Sequence, residues 1–183
     1  MFIDISEILA DDIAGTVSAV GPDVTKFKSG DRIFGQSNLG RGPDAAGLQQ
    51  YCVLDSKVSA HIPNSISFEE TATIPVNTIA SFIGIFHETG LGIGFPEIKP
   101  NDPKSQKIVV IGGESSCGQY AIEFAKLAGF GEIITVASLA NENKLRELGA
   151  SYVVDRHGPD VVARVCNVVG DDLIYAIDPI SRR

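Results

Sequence analysis

The chain has 183 residues, of which 44% are hydrophobic and 21% charged, with a formal charge of −8. That is enough apolar material for one large domain or two small ones, and the acidic surface excludes broad affinity for nucleic acid or anionic membranes. No apolar run approaches the roughly 20 residues that span a bilayer, so no membrane partner is expected.

The start, MFIDISEILADDIAG, carries acids and no basic stretch, and is not expected to act as a secretory signal. Cys52, Cys117 and Cys166 are widely spaced and odd in number. They argue against a disulfide framework or a Cys-rich zinc site, and fit a reducing, cytoplasmic setting.

From Ile13 to Pro63 short β-like runs alternate with turn residues. AGTVSAVG, RIFG, LQQYCVLD and KVSAHIP read as four short strands, separated by PDVTKFKSGD and the polar loop QSNLGRGPDAAG. This texture suggests a barrel or sandwich, incomplete at its N-terminal end.

After Pro63 the texture becomes helical. Ser67 with Glu70 three residues later is a capping-box pattern. Pro75 can open a second helix to about His87, with Ile79, Phe82, Ile83 and Phe86 on one face. TGLGIGFPEIKPNDPKSQ then reads as a surface loop.

From Lys107 the units alternate. KIVVI, EIITVA, SYVVD and DLIYAID read as strands, with helices at Gly118–Leu127, Asn141–Leu148 and Asp160–Val169 between them. Continuous apolar strands separated by helices predict an α/β doubly wound parallel sheet, with ligands along the edge where the strands end.

The turn after the first of these strands is Gly112-Gly113-Glu114-Ser115-Ser116-Cys117-Gly118. Gly112 and Gly113 permit positive φ and close approach of a ligand, and Gly118 lets a helix start against the strand with its N–H groups facing an anion. A P-loop is excluded, because Gln119 and Tyr120 stand where Lys and Ser/Thr are required. A purely structural turn and a dinucleotide pyrophosphate site both fit the spacing. The second strand ends in Ser138 with Asn141 close behind and no carboxylate, and Lys144 and Arg146 follow. A hydroxyl and an amide there favour a ribose 2′-phosphate, hence NADP over NAD; they can equally cap the next helix, and the two roles are compatible.

Four blocks resemble the medium-chain dehydrogenase/reductase superfamily, more narrowly its quinone-reductase and fungal enoyl-reductase-like branch of GroES-like, "zinc-binding dehydrogenase" proteins. They are DDIAGTVSAVGPDVTKFKSGDRIFG, LQQYCVLD with SAHIPNSISFEETATIPV, VVIGGESSCGQYAIEFAKLAG, and IITVAS with NKLRELGASYVVD. The resemblance implies a partial GroES-like β-barrel domain at residues 1–63 and a partial Rossmann NADP-binding domain at 64–183, joined through helices at about 67–88. It places Gly112, Gly113, Ser115, Ser116, Cys117 and Gly118 at the pyrophosphate, Ser138 and Asn141 at the 2′-phosphate with Lys144 nearby, and Asp178 to Ser181, Ile180 included, beside the nicotinamide ribose.

The implied activity is NADPH-dependent hydride transfer to an activated C=C or C=O of a small molecule such as a quinone, enone or enoyl thioester. Ala10-Asp11-Asp12 stands where the zinc enzymes have Gly-His-Glu, and the loop after GDRIFG has no cysteine, so no metal is expected. His61, His87 and His157 are scattered and read as surface or capping residues. Ala80-Ser81 replaces the family's Thr-Ala pair beside the nicotinamide. No catalytic acid or base can be named, and the absence of Tyr-x-x-x-Lys excludes short-chain dehydrogenase chemistry. Against the family pattern the chain lacks both ends, which leaves a truncated, non-catalytic nucleotide-binding or interaction module as the alternative. A homodimer through the Rossmann sheet edge is expected only in a full-length form.

Overall fold

The computed structural model describes residues 9–37, 42–95, 106–171 and 173–180. The chain divides into two compact units, Met1–Val76 and Asn77–Arg183.

In the first unit β1 (Asp12–Thr16), β2 (Arg32–Gln36) and β3 (Ser59–His61) form an antiparallel sheet in the order β1-β2-β3. LQQYCVLD, read above as a strand, forms none. Its backbone is drawn instead into loop contacts: the Leu48 N–H donates to Leu9 O at 2.9 Å and the Val53 N–H to Asp44 O at 2.8 Å. The Gln49 amide adds bonds to Pro43 O and Ala46 O at 3.0 and 2.7 Å. Strand-like composition lost to local hydrogen bonds that left no ladder to pair with.

Helix α1 (Phe68–Thr71) opens on the expected capping box: Ser67 Oγ accepts from the Glu70 N–H, and the Glu70 carboxylate accepts from the Ser67 N–H. Arg32 ties this segment to β2, donating to Ile66 O at 2.7 Å and lying over the Phe68 ring. Helix α2 (Pro75–Phe86) follows, with proline at its first position as predicted.

The second unit holds β4 (Lys107–Ile111), α3 (Ser116–Ala128), β5 (Glu132–Ala137), α4 (Glu142–Leu148), β6 (Tyr152–Asp155), α5 (Val161–Val169) and β7 (Tyr175–Ile177). The four strands are parallel, in the order β6-β5-β4-β7. Residue 172, at the start of the strand predicted from DLIYAID, lies outside the described residues.

Side chains alternate across this sheet as a pleat requires. Ile108 and Val110 face α3, where Ala121, Ile122 and Ala125 are fully buried; Val109 and Ile134 face α5 and its Val165 and Val169. Both faces are therefore covered, which is why β4 and β5 read as unbroken apolar runs. The small alanines of α3 let the helix lie close to the strands. The second unit is the α/β doubly wound parallel sheet expected of a partial Rossmann domain, and the first is a three-stranded antiparallel sheet.

Candidate cofactor site

The order β6-β5-β4-β7 puts a topological switch between β4 and β7: the chain winds outward from β4 through β5 to β6, then returns to the other side of β4. Open parallel sheets hold their ligands in the crevice at such a point, outside the strand ends. The turn 112–118 follows β4 and residues 178–180 follow β7, so the fold brings both predicted segments to the same crevice.

Three glycines close the turn, for different reasons. Gly112 has φ +73°, a conformation that costs other residues, and a Cβ built on it would lie 2.6 Å from Ile180 Cδ1. Ile180 thus sits directly over the first glycine. A Cβ on Gly113 would meet Thr135 Oγ1 at 2.0 Å, and one on Gly118 would meet Gly112 O at 2.2 Å. Gly113 and Gly118 are required by the chain's own packing, before any ligand is considered. Thr135 is fully buried and anchors the turn from below, its hydroxyl donating to Val110 O at 2.9 Å.

Helix α3 begins two residues earlier than the sequence suggested, and this corrects one expectation. The Gly118 N–H is not bare: Ser115 is the N-cap, and its Oγ accepts from Gly118 N at 3.0 Å while donating to Gly112 O at 2.8 Å. The amides left without an intrahelical acceptor are those of Ser116 and Cys117, in the first turn. Ser116 is exposed and Cys117 half-buried. Cys117 is fastened on its other side, Sγ to Asn77 Oδ1 at 3.2 Å, and its carbonyl accepts from Ser81 Oγ at 2.8 Å. Ser81 is buried and ties α2 to the head of α3, so its hydroxyl is committed to the scaffold.

At the end of β5 the predicted pair behaves unevenly. Ser138 Oγ caps the short 3-10 turn Leu139–Asn141, as the capping alternative requires, but the Asn141 side chain makes no cap. Asn141 Nδ2 and the Ser138 N–H instead both donate to Glu114 Oε2, at 3.2 and 2.7 Å. Glu114 Oε1 pairs with Arg156 Nε at 2.9 Å. Neither Glu114 nor Arg156 was singled out from sequence, because only the folded sheet brings residues 114, 138, 141 and 156 together. Lys144 is exposed on α4. Arg146 is occupied within its own neighbourhood, paired with Glu142 and donating to Ser151 O at 2.7 Å. Asp178 Oδ1 accepts from the Ile180 N–H at 3.0 Å, turning the chain back over Gly112; Ser181 lies outside the described residues.

In the first unit, Asp11 Oδ1 accepts from Ser37 Oγ and Asp12 Oδ1 from the Val76 N–H, both at 2.8 Å. Burial pushes the Asp12 carboxyl up, against the lowering effect of the Val76 bond, and the Asp11 charge adds to the rise. Among the described residues no group of three His, Cys, Asp or Glu is arranged to hold a metal ion. An open cleft of about 820 Å³ lies along β1, lined by Val17, Phe27, Cys52 and Val53, and contains none of the predicted site residues. Burial pushes the Cys52 thiol up.

The alcohol dehydrogenase GroES-like domain family matches residues 3–82. The dehydrogenase pigH of Monascus ruber is 37% identical over 155 residues, covering 81% of this chain and 41% of that protein. The trans-enoyl reductase himH of Aspergillus japonicus is 34% identical over 174 residues, covering 93% and 49%. The chain belongs to the medium-chain dehydrogenase/reductase superfamily. It spans about half the length of these relatives. A superfamily structure, the quinone oxidoreductase of Escherichia coli complexed with NADPH, superimposes with a TM-score of 0.64 at 25% identity, covering 88% of this chain and 45% of that one. Where zinc-bearing members of the superfamily carry Gly-His-Glu, this chain engages Asp11 and Asp12 in the hydrogen bonds described above. At the Thr-Ala position it offers a Ser81 hydroxyl already bonded to Asn77 O and Cys117 O.

Proposed function

We propose that the chain is the cofactor-binding part of a zinc-free, NADPH-dependent oxidoreductase that reduces an activated C=C or C=O in a small molecule such as a quinone, enone or enoyl thioester. The observation that carries this reading is the meeting of the glycine turn with Ile180 at the β4/β7 switch point. The names of two similar proteins agree with it: one is a trans-enoyl reductase, another a quinone oxidoreductase solved with NADPH.

The donor set fits the cofactor's anionic groups. The Ser116 and Cys117 amides, at the positive end of a 13-residue helix, suit a pyrophosphate. The Ser138 N–H, the Asn141 amide and the Arg156 guanidinium are held by the Glu114 carboxylate, the acid that the strand end itself lacks; with that carboxylate moved aside they would suit a compact oxyanion at the adenosine ribose, with Lys144 on the next helix adding positive charge. Asp178 and Ile180 would flank the nicotinamide ribose, and Ile180 would exclude water above Gly112. With a net charge of −8, the chain must hold such an anion through this local geometry. When bound, NADPH supplies the hydride; the residues of this chain bind and orient it.

Asp11 and Asp12 support a zinc-free site, since Asp11 stands where the zinc-bearing relatives have histidine and both carboxylates are already tied to Ser37 and Val76. Three free cysteines support a reducing, cytoplasmic location. The test is a fluorescence titration with NADPH and with NADH, followed by NADPH oxidation with a quinone or an enone as acceptor. Tighter binding of NADPH and acceptor-dependent oxidation are expected. No binding of either dinucleotide would overturn the reading. Binding without oxidation by any acceptor would restrict the chain to a nucleotide-binding module.

A further inference from the structure

The oxyanion position at the end of β5 is filled by a carboxylate of the chain itself. Glu114 projects from the glycine turn and receives three donors from three different elements: the Ser138 N–H at the end of β5, the Asn141 amide before α4, and Arg156 Nε after β6. The Glu114 side chain is only 21% exposed, against 50% for Arg156. The turn is braced in this pose by Gln119, whose amide donates to Glu114 O at 2.9 Å. A main-chain N–H, a side-chain amide and a guanidinium converging on one point form a receptor for a compact anion. The same donors cannot serve a carboxylate and a phosphate at once, and two anions held side by side repel.

We propose that Glu114 is a specificity-determining residue: its carboxylate occupies the donors that a ribose 2′-phosphate would use, so NADPH binds only by displacing it. A ribose 2′-hydroxyl needs no such displacement, since it can donate to the carboxylate where it stands. Glu114 therefore narrows the margin by which NADPH is preferred to NADH. The inference rests on the dinucleotide reading of the glycine turn and adds the residue that sets the cofactor preference.

The experiment compares adenosine 2′,5′-bisphosphate with adenosine 5′-diphosphate by isothermal titration at fixed ionic strength, on the whole chain and its Glu114→Gln and Glu114→Ser variants. Circular dichroism and thermal midpoints check folding, and Glu114→Gln keeps the side-chain length should serine loosen the turn. Both variants should gain affinity for the 2′-phosphorylated ligand, about tenfold for Glu114→Ser, the size of one charge-assisted hydrogen bond. Affinity for adenosine 5′-diphosphate should change less than about twofold. Adding Arg156→Ala to Glu114→Ser should remove the gain, which a merely structural role for Glu114 would not predict. Equal shifts for both ligands, or no shift, would overturn the proposal while leaving the dinucleotide reading intact. If neither ligand binds any form of the chain, both readings are overturned.

Discussion

Gly113 shows how a residue legible in sequence can carry a different reason in the structure. Its place in the turn was evident; that Thr135 Oγ1 fills the space where its Cβ would go was not, because residue 135 is on another strand. Gly113→Ala should thus act first on stability. Overpacking of this kind costs about 1–3 kcal/mol, to be read from urea denaturation, and a loss below about 0.5 kcal/mol would mean that the turn yields freely. Glu114 was hidden for the same reason: a lone acid among small residues, given its role only by Ser138, Asn141 and Arg156 from elsewhere in the chain. Asp12 permits a prediction with a definite sign. Its carboxyl titrates above its ordinary 3.8, mainly through burial. A raised carboxyl favours the neutral form in the folded state, so its contribution is fully present below the unfolded value and lost as pH rises through the folded one. Asp12→Asn keeps an oxygen for the Val76 N–H. Relative to the wild type it should gain stability between pH 3 and pH 7, as followed by thermal midpoints; a difference independent of pH would contradict the burial argument.

Among the elements, β4 and β5 were legible to the residue because burial on both faces writes continuous apolar runs into the sequence. The capping box at Ser67 and Glu70 was equally visible, being local chemistry. Two readings depended on partners the sequence does not display. Leu48–Asp55 has strand-like residues but takes its hydrogen bonds from loops. The stripe predicted on α2 is split: Phe86 packs against the core and Phe82 meets Phe124 edge-on, while Ile79, Phe82 and Ile83 are 43%, 39% and 43% exposed and the buried Ser81 and Ile85 lie off the stripe. Periodicity located the stripe; it could not say which side the sheet would cover. Helix α3 carries the element most exposed to test. Ser115 caps it through Gly118 and also bonds Gly112 O. Ser115→Ala should cost about 1–2 kcal/mol in chemical denaturation and loosen the turn. An unchanged midpoint would show that the cap is replaced by solvent.

For the whole molecule, the sequence contained the class of each unit and the order of its elements, since alternating strands and helices admit few topologies. It did not contain the sheet order, and so could not show that β7 lies beside β4 with Ile180 above Gly112. That adjacency supports the central claim that a dinucleotide occupies the crevice between the glycine turn and the strand ends. The most direct test is hydrogen exchange of the full chain with and without NADPH. The account predicts slowed exchange at 112–118, 138–141 and 178–180, with little change along β1 to β3. Unchanged exchange in all three segments, at a concentration where NADPH binding is seen, would contradict it.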